Sequence, residues 1–105
     1  MNDIVIKYGA TYIIPFEIES DMDLTGKKLK FVVKRDKEST KELISIENVA
    51  IDPETKIANV QLTQDDWDTL PNKTINYEYG TLVYDDEDSY PFLDGKFKVE
   101  ISVAG

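Results

Sequence analysis

The chain has 105 residues, enough for one domain and too few for a second with its own core. Hydrophobic residues make up 41% and charged residues 31%, with aromatic and β-branched side chains plentiful, so the composition excludes a disordered chain. Acidic residues number 21 against 12 basic ones, and the resulting field at a formal charge of −9 repels phosphate backbones and anionic membranes, which argues against nucleic acid or membrane as a partner.

Cysteine is absent, so disulfides and thiolate metal sites are excluded. The N-terminal stretch through Phe16 has no basic leader and no long apolar run, so neither a signal peptide nor a membrane span is expected, and synthesis in a cytoplasm is. Asn72-Lys73-Thr74 matches a glycosylation sequon and reads as a chance match in a loop.

Along the chain, apolar residues alternate with a period of two, and helical spacing is scarce. Ile4 and Ile6 predict a short first strand ending before Gly9. From Tyr12 to Glu19 the even positions Tyr12, Ile14, Phe16 and Ile18 form one apolar face, and Pro15, which has no N–H to donate, predicts an edge or a bulge. Residues 20–26 are a turn by composition. Lys28 to Lys34 then places Leu29, Phe31 and Val33 inward between exposed lysines, and residues 36–41 form a charged loop. Leu43 to Val49 is a strand whose inward face the pattern leaves open; after a turn at Asp52-Pro53, Ala58, Val60 and Leu62 share a face of the next strand.

Between Thr63 and Pro71 the alternation stops. Thr63 can cap a helical turn, acidic residues follow where the helix dipole is positive, and Pro71 ends it. A short helical turn near 64–70 is expected to carry Trp67 and Leu70 into the core. Ile75 to Tyr84 resumes as an aromatic strand, Asp85 to Asp88 form an acidic loop, and a last strand alternates Phe97, Val99, Ile101 and Val103 with Lys96, Lys98, Glu100 and Ser102. About seven short strands and one helical turn predict an all-β fold: residues 1–105 as a single antiparallel immunoglobulin-like β-sandwich.

Chemistry is sparse in this pattern. With neither histidine nor cysteine, the usual general base and the commonest nucleophile–base pairs are missing. No serine sits in a nucleophile elbow, and the glycines are too scattered for a phosphate loop. An enzyme is not expected, and no cofactor is implied. Asp21-x-Asp23 and Asp85 to Asp88 carry oxygen ligands of the type calcium prefers but lack the EF-hand spacing; solvated loops that discourage edge pairing are the plainer reading. Trp67 reads as a core plug rather than a ligand-stacking ring. Tyr77 or Tyr79 is a candidate for the tyrosine corner of such sandwiches. Tyr84, Tyr90 and Phe92, which flank the acidic loop, are the candidate contact patch.

A family resemblance rests on short motifs spread over nearly the whole chain. They are Gly9-Ala10-Thr11-Tyr12, Asp23-Leu24-Thr25-Gly26 before Leu29 to Lys34, Val60 to Asp66 leading to Leu70, Tyr77-Glu78-Tyr79, and Leu93 to Val99. In these the chain resembles the N-terminal immunoglobulin-like domain of phage baseplate upper proteins and related small modules of tailed-phage virions. The likeness implies a virion location and a role as a non-catalytic structural adaptor in a baseplate, tail, neck or capsid decoration. Its partners would be other virion proteins and further copies of itself. Two departures stand out: the family domain begins a longer polypeptide whereas this sequence stops at Gly105, and Asn72-Lys73-Thr74 stands before the aromatic strand where the family often has a glycine-bearing turn. A free-standing module binding carbohydrate or a cell-surface protein is the alternative. A nucleic-acid mimic ranks behind both, because Lys27, Lys28, Lys30, Lys34 and Arg35 interrupt the negative charge.

Overall fold

The computed structural model describes residues 3–101. It contains seven strands and one helical turn: β1 (Ile4–Lys7), β2 (Tyr12–Glu17), β3 (Lys28–Lys34), β4 (Ile44–Ala50), β5 (Ile57–Leu62), α1 (Gln64–Trp67), β6 (Ile75–Tyr84) and β7 (Ser89–Glu100). The fold is all-β, in two sheets. One has the order β1-β7-β6-β3-β4 and the other pairs β2 with β5. A bridge between Ile51 and Ala58 joins the end of β4 to β5, so the sheets meet on that side as a half-closed barrel.

The core lies between the sheets because each strand's alternation points inward. Leu29, Phe31 and Val33 of β3, Tyr77, Tyr79, Thr81 and Val83 of β6, and Phe97 and Val99 of β7 are buried from one side. Ile14 and Phe16 of β2 and Ala58, Val60 and Leu62 of β5 are buried from the other. At the centre Phe31 packs against Phe16, Tyr79 and Phe97 with ring centroids 5.9, 5.7 and 6.0 Å away, and Phe16 meets Tyr79 at 6.1 Å. Tilted and edge-on rings at such separations add about 0.5–1.5 kcal/mol per pair beyond the area they bury.

The structure corrects the sequence reading in three places. The strands are not all antiparallel: β1 runs parallel to β7, with Ile4 opposite Phe97 and Lys7 opposite Glu100. Gly9, at φ 84°, turns the chain from β1 into β2, which belongs to the other sheet. Periodicity reports which face a strand buries and carries no information on the direction of its neighbour. Second, β7 begins at Ser89, well before the alternation at Lys96, because a bulge separates its halves: the β6–β7 register shifts between Gly80 and Leu82. The Thr81 hydroxyl fills the gap, donating to Leu93 O and accepting from Leu93 N, both at 3.0 Å. Third, Ile101 follows β7 as an exposed residue outside any strand; Ser102 and Val103, expected to continue it, lie outside the described residues.

The face of β4 that the sequence leaves open is settled by a second bulge. Ile44 and Ile46 face inward, opposite Val33 and Phe31, and one extra residue then brings Val49 opposite Leu29. Asn48 takes up the insertion at φ 60°, a left-handed conformation that asparagine tolerates better than most side chains. Pro15 lies on an edge, as expected, since among the described residues β5 is the one neighbour of β2. The Ile18 N–H points to β5, donating to Lys56 O, so by alternation the missing N–H of Pro15 falls on the free side.

A groove on the outer face of the five-stranded sheet

The inward residues of β3 and β6 leave an outward set that repeats in rungs: Lys28 opposite Tyr84, Lys30 opposite Leu82, Val32 opposite Gly80 and Lys34 opposite Glu78. Two hollows of about 370 and 380 Å³ lie over these rungs. Both include Lys30 and Leu82, so they form one groove running along the strands. Val32, Gly80 and Leu82 lie along the first hollow, which is flanked by the charged β3–β4 loop on one side and Asp94 of β7 on the other. Glu47 and the acidic loop line the second.

Gly80 is small for a local reason. A Cβ there would come within 2.8 Å of Asp94 Oδ1, so the carboxylate lies over the strand where a side chain would otherwise stand. Lys30 is held between Glu42 and Glu47, at 3.7 and 3.3 Å. Glu78 pairs with Lys96, and its carboxylate raises the Lys96 ammonium above the ordinary lysine value. At the acidic loop, Asp85 accepts from Lys27 Nζ at 2.6 Å and from the Asp88 and Glu87 N–H groups at 2.8 and 2.9 Å. The Lys27 hydrogen bond is the largest of these effects, and together they bring the Asp85 carboxyl down to about 2. Among the described residues, no lysine or arginine pairs with Asp86, Glu87, Asp88 or Asp94.

The three aromatics expected to form a contact patch do not share a surface. Tyr84 follows the outward phase of β6, and its hydroxyl crosses the sheet to Asn48, accepting from the backbone N–H at 3.0 Å and donating to Oδ1 at 2.9 Å. Tyr90 pairs with buried Val83 and so projects from the opposite face, at the rim, 40% exposed and 5.6 Å from the Lys27 ammonium. Phe92 is half-buried against the core beside the bulge. Tyr77 and Tyr79 are buried on the inner face of β6, and desolvation raises both hydroxyls above the ordinary tyrosine value.

Trp67 is buried, with its indole Nε1 donating to Ala10 O at 2.8 Å. At the β5–β6 connection, the Tyr8 hydroxyl donates to Trp67 O and Leu70 O, at 3.1 and 3.2 Å. Sequence reasoning overlooked Tyr8 because nothing local marks it. It also overlooked the groove, although one signal was available: Leu82 is an apolar residue in the outward phase of a strand whose odd positions are buried.

The arrangement is an open sheet face on which Val32, Gly80 and Leu82 lie among charged side chains. Among the described residues, no three carboxylates stand close enough together to hold a metal ion, and no helix is long and apolar enough to cross a membrane. No protein-family model matches the chain, and no curated protein matches it in sequence.

Proposed function

We propose that this chain is an immunoglobulin-like, non-catalytic docking module of a tailed-phage virion, joining other virion proteins and further copies of itself. The observation that supports the immunoglobulin-like part of this reading is the strand order. In variable-type immunoglobulin sandwiches one sheet runs G-F-C-C′ and the other sets strand B beside E. The orders β7-β6-β3-β4 and β2-β5 follow the same plan, and α1 falls where the E–F corner would be. Phe16 of β2 and Tyr79 of β6 meet across the sheets with Phe31 packed on both, which supports a likeness to the disulfide and strand C tryptophan of such domains. The virion assignment rests on the motif resemblance, and the free edges of β1 and β2 together with the outer groove supply surface for assembly.

Light scattering over a concentration series, with and without a lysate of purified particles, tests it. A defined oligomer, or retention of a virion structural protein by the immobilised chain, is the expected result. A monomer at every concentration that retains no virion protein but binds an oligosaccharide would favour the carbohydrate-binding alternative.

A further inference from the structure

The edges of the two sheets are not equally protected against pairing with another chain. The Ile51–Ala58 bridge links β4 to β5, and the Asn48 bulge bends β4 further. The free side of β2 lacks the N–H of Pro15. The outer edge of β1 has neither a proline nor a bulge. Its one neighbour among the described residues is β7, and Val5 at its middle is 53% exposed. Tyr8 N–H donates to Glu100 O at 2.8 Å, which sets the hydrogen-bonding phase of the strand. By alternation the even residues face β7, while the Val5 N–H and C=O and the Lys7 N–H face the open side.

The stretch Asp3-Ile4-Val5-Ile6-Lys7 runs acidic, apolar, apolar, apolar, basic, so it complements itself when reversed. Set antiparallel to a second copy with Val5 opposite Val5, it places Ile4 opposite Ile6 and Asp3 opposite Lys7, each of these twice. In that register the two Val5 residues exchange N–H···O bonds, because both groups already face outward. Ile4 is half-buried and gains an apolar neighbour on the core side. Asp3 accepts from Lys96 N at 3.3 Å, but neither Asp3 nor Lys7 has an ion-pair partner among the described residues, and the Lys96 ammonium is taken by Glu78. Behind β1, Lys98 stands beside Val5 and Glu100 beside Lys7. Lys98 would lie three strand spacings from its counterpart, about 14 Å, beyond the screening length of about 8 Å at physiological salt.

We propose that two copies of this chain pair antiparallel through β1, about a two-fold axis at Val5, and join their five-stranded sheets into one. The proposal rests on the self-association within the docking reading and names the surface that performs it.

The test is sedimentation equilibrium up to about 1 mM chain, the weak end of specific affinity, with NMR amide shifts recorded over the same series. The wild type should dimerise, with the concentration-dependent shifts centred on Val5 and Lys7. Lys7→Asp and Asp3→Lys each set like charges opposite one another at two symmetry-related places. An exposed ion pair is worth up to about fivefold, so each variant should dimerise about tenfold or more weakly. Mixed in equal amounts, the two variants should form a heterodimer, since every lysine then faces an aspartate. Val5→Lys places two cations at the axis and should abolish the dimer while a dispersed spectrum shows the fold intact. Dimers that survive Val5→Lys, or reversed chains that do not recover on mixing, would overturn the proposal. Association that persists in Val5→Lys leaves self-docking standing through another surface. A wild type monomeric to the limit also overturns the proposal; if it still retains a virion protein, docking stands, and if it retains none, docking fails with it.

Discussion

The two ends of the fold are closed by different mixtures of contact. At the end holding α1, local caps, in which Asp36 accepts from Glu38 N and Ser39 N and Asp66 from Thr63 N, are joined by bonds between residues far apart in sequence: Trp67 Nε1 to Ala10 O, the Tyr8 hydroxyl to Trp67 O and Leu70 O, and Thr69 Oγ1 to Leu43 O. At the opposite end, each connection is held by an aspartate capping its own turn. Asp23 accepts from Thr25 N, Asp52 from Glu54 N, and Asp85 from Glu87 N and Asp88 N. Two lysines then link those turns, Lys27 to Asp85 and Lys56 Nζ to Ser20 O. The first end depends on burial and is coupled to global stability. The second rests on locally capped turns joined by two part-buried lysines, so it can change with less effect on the core.

The largest effect should come from removing the plug. Trp67→Ala is expected to cost about 3–5 kcal/mol in urea denaturation, a large share of the roughly 5–15 kcal/mol that domains of this size possess. A cost near that of an exposed residue would mean the helical end is not packed as described. Tyr8→Phe keeps the ring against Trp67, 5.2 Å away, and removes the hydroxyl bonds alone. It should cost about 1 kcal/mol and leave the acidic end unchanged in NMR spectra.

A smaller, pH-dependent effect belongs to the acidic end. The Asp85 carboxyl is held at about 2, below its ordinary value of 3.8, so its contribution is complete above the ordinary value and is lost as pH falls through about 2. An NMR carboxyl titration should show this low midpoint, and Lys27→Met should move it upward, since the Lys27 hydrogen bond is the chief cause. Molar salt, with a screening length near 3 Å, should produce a weaker shift in the same direction. A midpoint at the ordinary value in the wild type would remove the contrast between the ends.

These two ends also explain what could be read from the sequence. Strands β3, β5 and β6 have the boundaries their alternation predicts, because a strand buried on one face has to write that face into every second residue. The turns at Asp23, Asp52 and Asp85 were legible too, since an aspartate bonds to backbone two residues on. Long-range closure was not: neither Tyr8 nor Ala10 carries a mark of the tryptophan more than fifty positions away. The bulges at Asn48 and Thr81 hid the phase of β4 and the first half of β7, where Pro91 and Asp94-Gly95 resemble a turn. Of the candidate site, the exposed lysines and the acidic loop were visible, but their juxtaposition over Leu82 depends on register, which only the paired strands supply.

The central claim is that this domain serves a virion by docking. Quantitative mass spectrometry of phage particles purified from cells that express the chain tests it most directly. The account predicts the protein in the particles at a fixed ratio to a tail, neck or capsid protein, retained through repeated gradient purification. Its absence from particles, while it accumulates in infected cells, would contradict the account.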